Sequence, residues 1–226
     1  MDSINQIKMM PEDVSAKIAA GEVIENPASV IKELVENSID ANSKQIVVEI
    51  VDGGTKFMKV SDDGVGISKN QVGLAFQRFA TSKIIDWENF DNIATLGFRG
   101  EALPSISSVA EVDMMTKTKG EEFGVKFQIK NGVVENKNAV GLSIGTSIEV
   151  RNLFAELPAR RKFLKGISTE SSRISVVLNN YALAYPSIKF RFISNGKQIF
   201  ATNGSGDLRE VVLTLLGLKV AESMLE

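Results

Sequence analysis

Val30, Ile31, Leu34, Val35 and Ile39 recur at the spacing of a helix with one buried face, and Pro27 stands where such a helix begins. The pattern predicts a helix from Pro27 to about Asn42. Ile46 to Val51 is a β-branched run, Gly53-Gly54 turns the chain, and Phe57 to Val60 leads a second strand into Asp62, so this stretch reads as a hairpin. Residues 69–80 read as helical. Residues 81–98 mix Thr, Ser, Asn and Gly with scattered apolar positions, as a long mobile connection does. Glu101 to Val109 predicts a short helix, because Gly97 and Gly100 mark a turn before it and Pro104 is tolerated in a first helical turn.

Strands follow at 111–117, 123–130 and 146–151. Leu153 to Leu164 carries Pro158 and then Arg160, Arg161 and Lys162, residues 170–184 read as an amphipathic helix, and a strand pair spans Lys189 to Ala201. This order predicts the α/β class, a two-layer α/β sandwich with helices on one face of a mixed, largely antiparallel sheet. After Asn203-Gly204-Ser205-Gly206 a helix begins near Asp207 with Leu208, Val211, Val212, Leu215 and Leu216 as its apolar stripe. The expected division is a domain over 1–203, with 204–226 opening a second domain; a helix packed back on the first domain is the alternative.

The length, 226 residues with 43% hydrophobic content, suffices for a full core. The net charge is only −2, yet residues 151–226 carry 11 Lys/Arg against 6 Asp/Glu, whereas residues 1–150 carry 15 against 22. That asymmetry hints at an acidic partner for the second part, or is no more than a solvated surface. The chain has neither cysteine nor histidine. Disulfides, thiolate or imidazole metal sites, Ser-His-Asp catalysis and phosphohistidine chemistry are therefore excluded. Met1-Asp2-Ser3-Ile4 lacks the features of a signal peptide and no stretch approaches a membrane span, so a cytosolic location without a membrane is expected.

Three segments carry the candidate chemistry: Glu33-Leu34-Val35-Glu36-Asn37, Asp62-Asp63-Gly64-Val65-Gly66, and Gly97-Phe98-Arg99-Gly100-Glu101-Ala102-Leu103. Glu33 and Asn37 lie four apart on the predicted helix, so they share a face. The Asn37 amide oxygen, with phosphate oxygens and water, suits magnesium, and Glu33 could orient and deprotonate an attacking water. The alternative is a solvated Glu with an i+4 neighbour. Asp62 accepts hydrogen bonds only, which matches adenine's amino group and mismatches guanine's oxygen; an Asp-rich turn or a calcium loop remains open there. Gly97, Gly100 and the following helix aim free N–H groups at one place, a cradle for phosphates, unless the junction holds no ligand. Arg99, Thr81, Ser82 and Lys83 could add donors from a lid.

Together these segments resemble the ATPase site shared by the gyrase B subunit, the large heat-shock chaperone, sensor histidine kinases and the MutL mismatch-repair family, and MutL most of all. Ile18 to Val23, Pro27 to Val30, Lys32 to Ser38 with Asp40-Ala41, Ala80 to Lys83, Gly97 to Leu103 and Pro158 to Leu164 resemble MutL signatures, over nearly the whole chain. The resemblance implies ATP and Mg2+ as cofactors, Glu33 as general base and Asn37 as magnesium ligand. It implies nucleotide contacts from Ala41, Asp62, Gly66, Ile67, Thr81, Ser82, Lys83, Gly97, Phe98, Arg99, Gly100, Glu101, Ala102, Leu103 and Thr146. The 1–203 part would be the ATP-binding domain. Implied partners are mismatch-recognition and downstream repair proteins, DNA bound weakly by this part, and a second copy in a homodimer formed on ATP binding in a longer protein. The location would be the cytoplasm of a bacterium or a nucleus.

Phe79 stands where the family commonly has histidine, and the family's phosphate-contacting lysine from a second domain is expected beyond residue 226, with weak turnover as the consequence. Two other readings compete: a degenerate scaffold that binds nucleotide, DNA or partners without turnover, and a histidine kinase catalytic domain. The retained Glu33 favours an enzyme, and the 97–103 and 158–164 segments favour repair.

Overall fold

The computed structural model describes residues 8–83, 95–97, 99–130 and 133–224. The first element, α1 (Glu12–Val23), leads into α2 (Pro27–Asp40), whose start is fixed by Pro27 and by Asn26 Oδ1 accepting from the Ser29 amide at 3.1 Å. Val30, Ile31, Leu34 and Val35 on α2 are buried, the face that the periodicity predicts. Strands β1 (Gln45–Val51) and β2 (Phe57–Asp62) form the expected antiparallel hairpin around a single 3₁₀ turn, Asp52–Gly54.

The expected helix over 69–80 shrinks to one turn, α3 (Val72–Ala75). Phe79 there takes a left-handed backbone (φ 63°) and donates its amide to Gly100 O at 3.1 Å, and Arg78 reaches Ala16 O at 3.0 Å. The Phe79 amide is thus turned to a long-range partner and the Arg78 side chain is anchored on α1, so the chain leaves the helical path. Residues 84–94 and Phe98, the greater part of the predicted connection, lie outside the described residues.

Helix α4 (Ala102–Val109) is followed by β3 (Glu111–Lys117), β4 (Gly124–Lys130), β5 (Val133–Val140) and β6 (Gly145–Arg151). Helices α5 (Pro158–Phe163) and α6 (Ile167–Ala184), strands β7 (Lys189–Ser194) and β8 (Lys197–Ala201), and helices α7 (Leu208–Leu216) and α8 (Leu218–Glu222) complete the order. The apolar pattern carried no expectation for α1, α5 or β5.

The strands form one sheet in the order β5-β4-β3-β6-β2-β1-β7-β8, with β1–β7 as the parallel pairing and antiparallel pairings elsewhere. Strand alternation sorts the sheet into two faces. Ile46, Val48, Ile50, Met58, Val60, Val112, Met114, Phe127, Ile148, Val150, Phe190 and Phe192 point to one side and are buried, and the cross-strand register keeps them in phase. Helices α2, α4 and α6 cover this side, and α1 packs on α4. The opposite side is polar: Lys59 pairs with Glu149 at 3.1 Å, Arg151 and Lys126 meet Asp113 at 3.1 and 3.0 Å, and Arg151 also pairs with Glu149. An apolar face and a charged face on one sheet explain why the helices form a single layer.

Helix α7 packs against α6 and β8 through buried Val211 and Val212 and α8 packs on α7, while Leu213, Leu216, Leu218 and Val220 stay exposed. Among the described residues no helix is long and apolar enough to cross a membrane.

Candidate active site

Phase along the strands places polar groups where the core would otherwise continue. Asp62 follows Met58 and Val60 on the buried side of β2, Thr116 follows Val112 and Met114 on β3, and Thr146 faces both in the register of β6. The Asp62 carboxylate is caught from three directions. Ser38 Oγ donates to Oδ2 at 2.8 Å, and the amides of Gly64 and Thr146 donate to Oδ1 at 2.9 and 3.3 Å. Burial pushes the Asp62 carboxyl above the ordinary carboxylate range, against these hydrogen bonds, which pull it down.

The glycines after Asp62 have separate reasons. A side chain on Gly64 would lie 2.7 Å from Ala41 Cβ, and the Ala41 carbonyl accepts from the Val65 amide at 3.0 Å, so the loop closes directly onto the end of α2. Gly66 has φ +73°, and a Cβ there would fall 2.2 Å from Lys117 O. That turn aims the Ile67 amide at Thr116 Oγ1, 2.8 Å away. Asp63, the neighbour of Asp62, is structural: its Oδ1 accepts from the Lys44 and Gln45 amides at 2.7 and 2.8 Å.

Glu33 and Asn37 on α2, and Ala41 at its C-cap, lie at successive turns along the cavity wall. Asn37 Oδ1 accepts from Lys83 Nζ at 3.0 Å, and the same ammonium pairs with Asp40 Oδ2. Asp40 also accepts from the Leu96 and Gly97 amides at 3.0 and 3.1 Å, which ties the glycine turn to the end of α2. Thr81 Oγ1 accepts from the Lys83 amide at 3.1 Å. Glu33 meets Lys32 Nζ at 3.3 Å, and Lys32 is shared with Glu36 at 3.1 Å. Burial pulls the Lys32 ammonium down, but the two carboxylates outweigh it and hold it above its ordinary value.

The candidate groups face one cavity of about 700 Å3. It is lined by Glu33, Asn37, Ala41, Asp62, Gly66, Ile67, Thr81, Ser82, Lys83, Gly97, Arg99, Gly100, Glu101, Ala102, Leu103 and Thr146, so every candidate residue except Phe98, which lies outside the described residues, is brought together. The start of α4 opens into the cavity through Glu101 to Leu103, with the Glu101 carbonyl accepting from Ser105 at 3.0 Å. Apolar walls come from Val60, Val65, Leu74, Met114 and Ile148.

Ser38 and Thr116, which hold Asp62 and the Ile67 amide, were not among the candidates. Thr116 could have been found, since a hydroxyl in phase with Val112 and Met114 marks a polar spot on a core-facing strand. Ser38 had no comparable signal, because its partner lies 24 residues away. The buried Glu36 and the cation-bridging role of Asp40 were likewise missed.

Residues 24–158 match the family model described as histidine kinase-, DNA gyrase B-, and HSP90-like ATPase. The chain belongs to this ATPase family, in its MutL branch. It is 48% identical over 222 residues to the DNA mismatch repair protein MutL of Clostridium botulinum (strain Eklund 17B / Type B), covering 98% of this chain and 33% of that protein. It is 49% identical over 218 residues to MutL of Shouchella clausii (strain KSM-K16), covering 96% and 33% respectively. The Aquifex aeolicus MutL ATPase domain complexed with ADP superposes with a TM-score of 0.69 at 34% identity, over 86% of this chain and 70% of that one. The chain spans about a third of the length of these two full-length MutL relatives. The ATPase family match ends at the start of α5, whereas the matches to the two MutL relatives cover 98% and 96% of the chain.

Proposed function

We propose that the chain is the ATP-binding and ATP-hydrolysing part of a DNA mismatch-repair protein. The observation that carries this reading is the convergence on one cavity of a carboxylate on helix α2, an amide oxygen one turn further on, a half-buried carboxylate in the sheet and the glycine turn before α4. Asp62, with Thr146 beside it, would accept from the adenine amino group. The amides at the start of α4 would meet the phosphates, where helix polarity favours anions. Glu33 orients the attacking water and takes its proton.

The oxygens of Asn37 and Asp40 already converge on one cation, the Lys83 ammonium, so this corner of the site fits a hard, positively charged guest. Asn37 would hold Mg2+, which when bound neutralises phosphate charge. Among the described residues no group of three or more acidic side chains is arranged to hold a metal alone, which accords with a metal delivered together with the nucleotide.

Residues 1–203 are assigned to ATP binding and 204–226 to the opening of a second domain, for which the exposed Leu213, Leu216, Leu218 and Val220 give an apolar surface to cover. In that longer protein, ATP binding would drive homodimerisation and relay mismatch recognition to downstream repair proteins on DNA, in a bacterial cytoplasm or a nucleus.

The test separates two roles. Glu33→Ala should abolish hydrolysis while sparing binding of Mg-ATP, because a base acts in the transition state more than in the ground state. Asn37→Ala should weaken binding itself. Equal loss of nucleotide affinity in both variants would sink the division of roles.

A further inference from the structure

We propose that Tyr181, Glu36 and Lys32 form a positioning chain behind the water-activating carboxylate, through which helix α6 sets the direction of Glu33. This rests on the role assigned to Glu33 above. Lys32, Glu33 and Glu36 lie within one turn and a fraction of α2 and line the cavity, whereas Tyr181 belongs to α6 and approaches Glu36 from outside the lining. Its hydroxyl donates to Glu36 Oε1 at 2.5 Å, a contact across 145 positions of sequence. Glu36 is buried, only 8% exposed, so its carboxylate depends on the partners it has, and these are the Tyr181 hydroxyl and the Lys32 ammonium at 3.1 Å. Lys32 in turn stands 3.3 Å from Glu33 Oε1.

The restraint runs along this chain from the core to the cavity. Tyr181 has a flat ring packed against the core and stacked on Tyr185, with centroids 6.5 Å apart. It fixes a buried carboxylate, the carboxylate holds a long half-exposed ammonium, and the ammonium holds Glu33, itself less exposed than the lysine. An isolated Lys–Glu pair on a helix surface would hold neither partner firmly. Here the pair is anchored at its buried end. Such restraint matters for catalysis because a base turned away from its water by about 1 Å can cost on the order of a hundredfold in rate.

A contact that merely docks α6 on α2 would have the same appearance, so the test must read catalysis apart from binding. Tyr181→Phe keeps the ring and its stacking and removes only the hydroxyl; Lys32→Met removes the ammonium at a half-exposed position; Lys32→Arg keeps the charge. Single-turnover hydrolysis with protein in excess over Mg-ATP should slow on the order of tenfold to a hundredfold in Tyr181→Phe and Lys32→Met. Affinity for a non-hydrolysable ATP analogue should stay within about twofold in Tyr181→Phe, whose hydroxyl lies outside the cavity lining, and in Lys32→Arg, which keeps the charge. Lys32→Arg should recover most of the rate.

An unchanged rate in Tyr181→Phe and Lys32→Met, rate and affinity falling together in Tyr181→Phe, or Lys32→Arg no better than Lys32→Met would each overturn the proposal. Glu33→Ala is measured alongside. If it still turns over, the base assignment itself fails; if it is inactive while Tyr181→Phe and Lys32→Met match the unaltered protein, only the positioning chain is refuted.

Discussion

Asp62→Asn probes base selection with little disturbance of the fold. In the unaltered protein the carboxylate accepts from Ser38 Oγ and from the Gly64 and Thr146 amides. An amide placed with its oxygen at the Oδ1 position keeps both backbone donors. Its NH2 then faces Ser38 Oγ, which can accept because that hydroxyl already has a second acceptor, Leu34 O at 3.1 Å, for its own proton. The local network therefore survives, and what changes is the group offered to the base. A hydrogen bond from adenine's amino group to an ionised carboxylate contributes about 1.5–3 kcal/mol. Losing it, or replacing it by two opposed donors, should weaken ATP roughly tenfold to a hundredfold.

GTP, whose oxygen faces a carboxylate unfavourably, should lose nothing and gain where the amide donates. Competition of ATP and GTP against a fluorescent nucleotide measures both affinities, and thermal melting of the nucleotide-free variant checks the fold. ATP affinity within threefold of the unaltered protein, with an unchanged ATP-to-GTP ratio, would refute base reading by Asp62.

Two further outcomes follow from the loops around the site. Gly66→Ala puts a methyl 2.2 Å from Lys117 O on a backbone with φ +73°, so the turn must move and release the Ile67 amide from Thr116; nucleotide binding should fall at least tenfold and the melting midpoint by several degrees, and a variant that binds ATP normally would show that the turn is not required. Glu121 accepts from the Thr118 amide and hydroxyl and from the Lys69 amide, first of all the Thr118 amide, which holds its carboxyl down at about 2. A depressed carboxyl stabilises above its ordinary value and loses that effect as pH falls toward the depressed one, so hydrogen-exchange protection of the Thr118 and Lys69 amides should fade between about 4.5 and about 2. Protection in Glu121→Gln equal to that of the unaltered protein at neutral pH would remove the clamp from the account.

Much of the architecture was legible where one face of an element is buried and the other is not. Helix α2 and strand β3 were read almost residue for residue, because Val30, Ile31, Leu34 and Val35 keep a helical period and Val112, Met114 and Thr116 keep a strand period. Strand β5 was invisible for the opposite reason: it is an edge strand exposed along nearly its whole length, so no alternation marks it. Helix α1 hides similarly, with Val14 and Ile18 both exposed. The helix over 69–80 was overcalled because local propensity cannot register that the Phe79 amide is taken by Gly100 and the Arg78 guanidinium by Ala16.

By itself the sequence determined the composition of the site. Three short segments contain the proposed base, the proposed amide ligand, the proposed base-reading carboxylate and the glycine turn, since each role needs a particular functional group at a particular local spacing, and local spacing is what a sequence states. The tertiary structure alone decided how those groups are held. Ser38 reaches Asp62 across 24 positions, Thr116 reaches the Ile67 amide across 49, and Tyr181 reaches Glu36 across 145. Burial makes each of these polar contacts necessary, because a carboxylate or amide withdrawn from water must find its partner within the protein, and only the packing of α2, α6 and the sheet determines which residue stands close enough to serve.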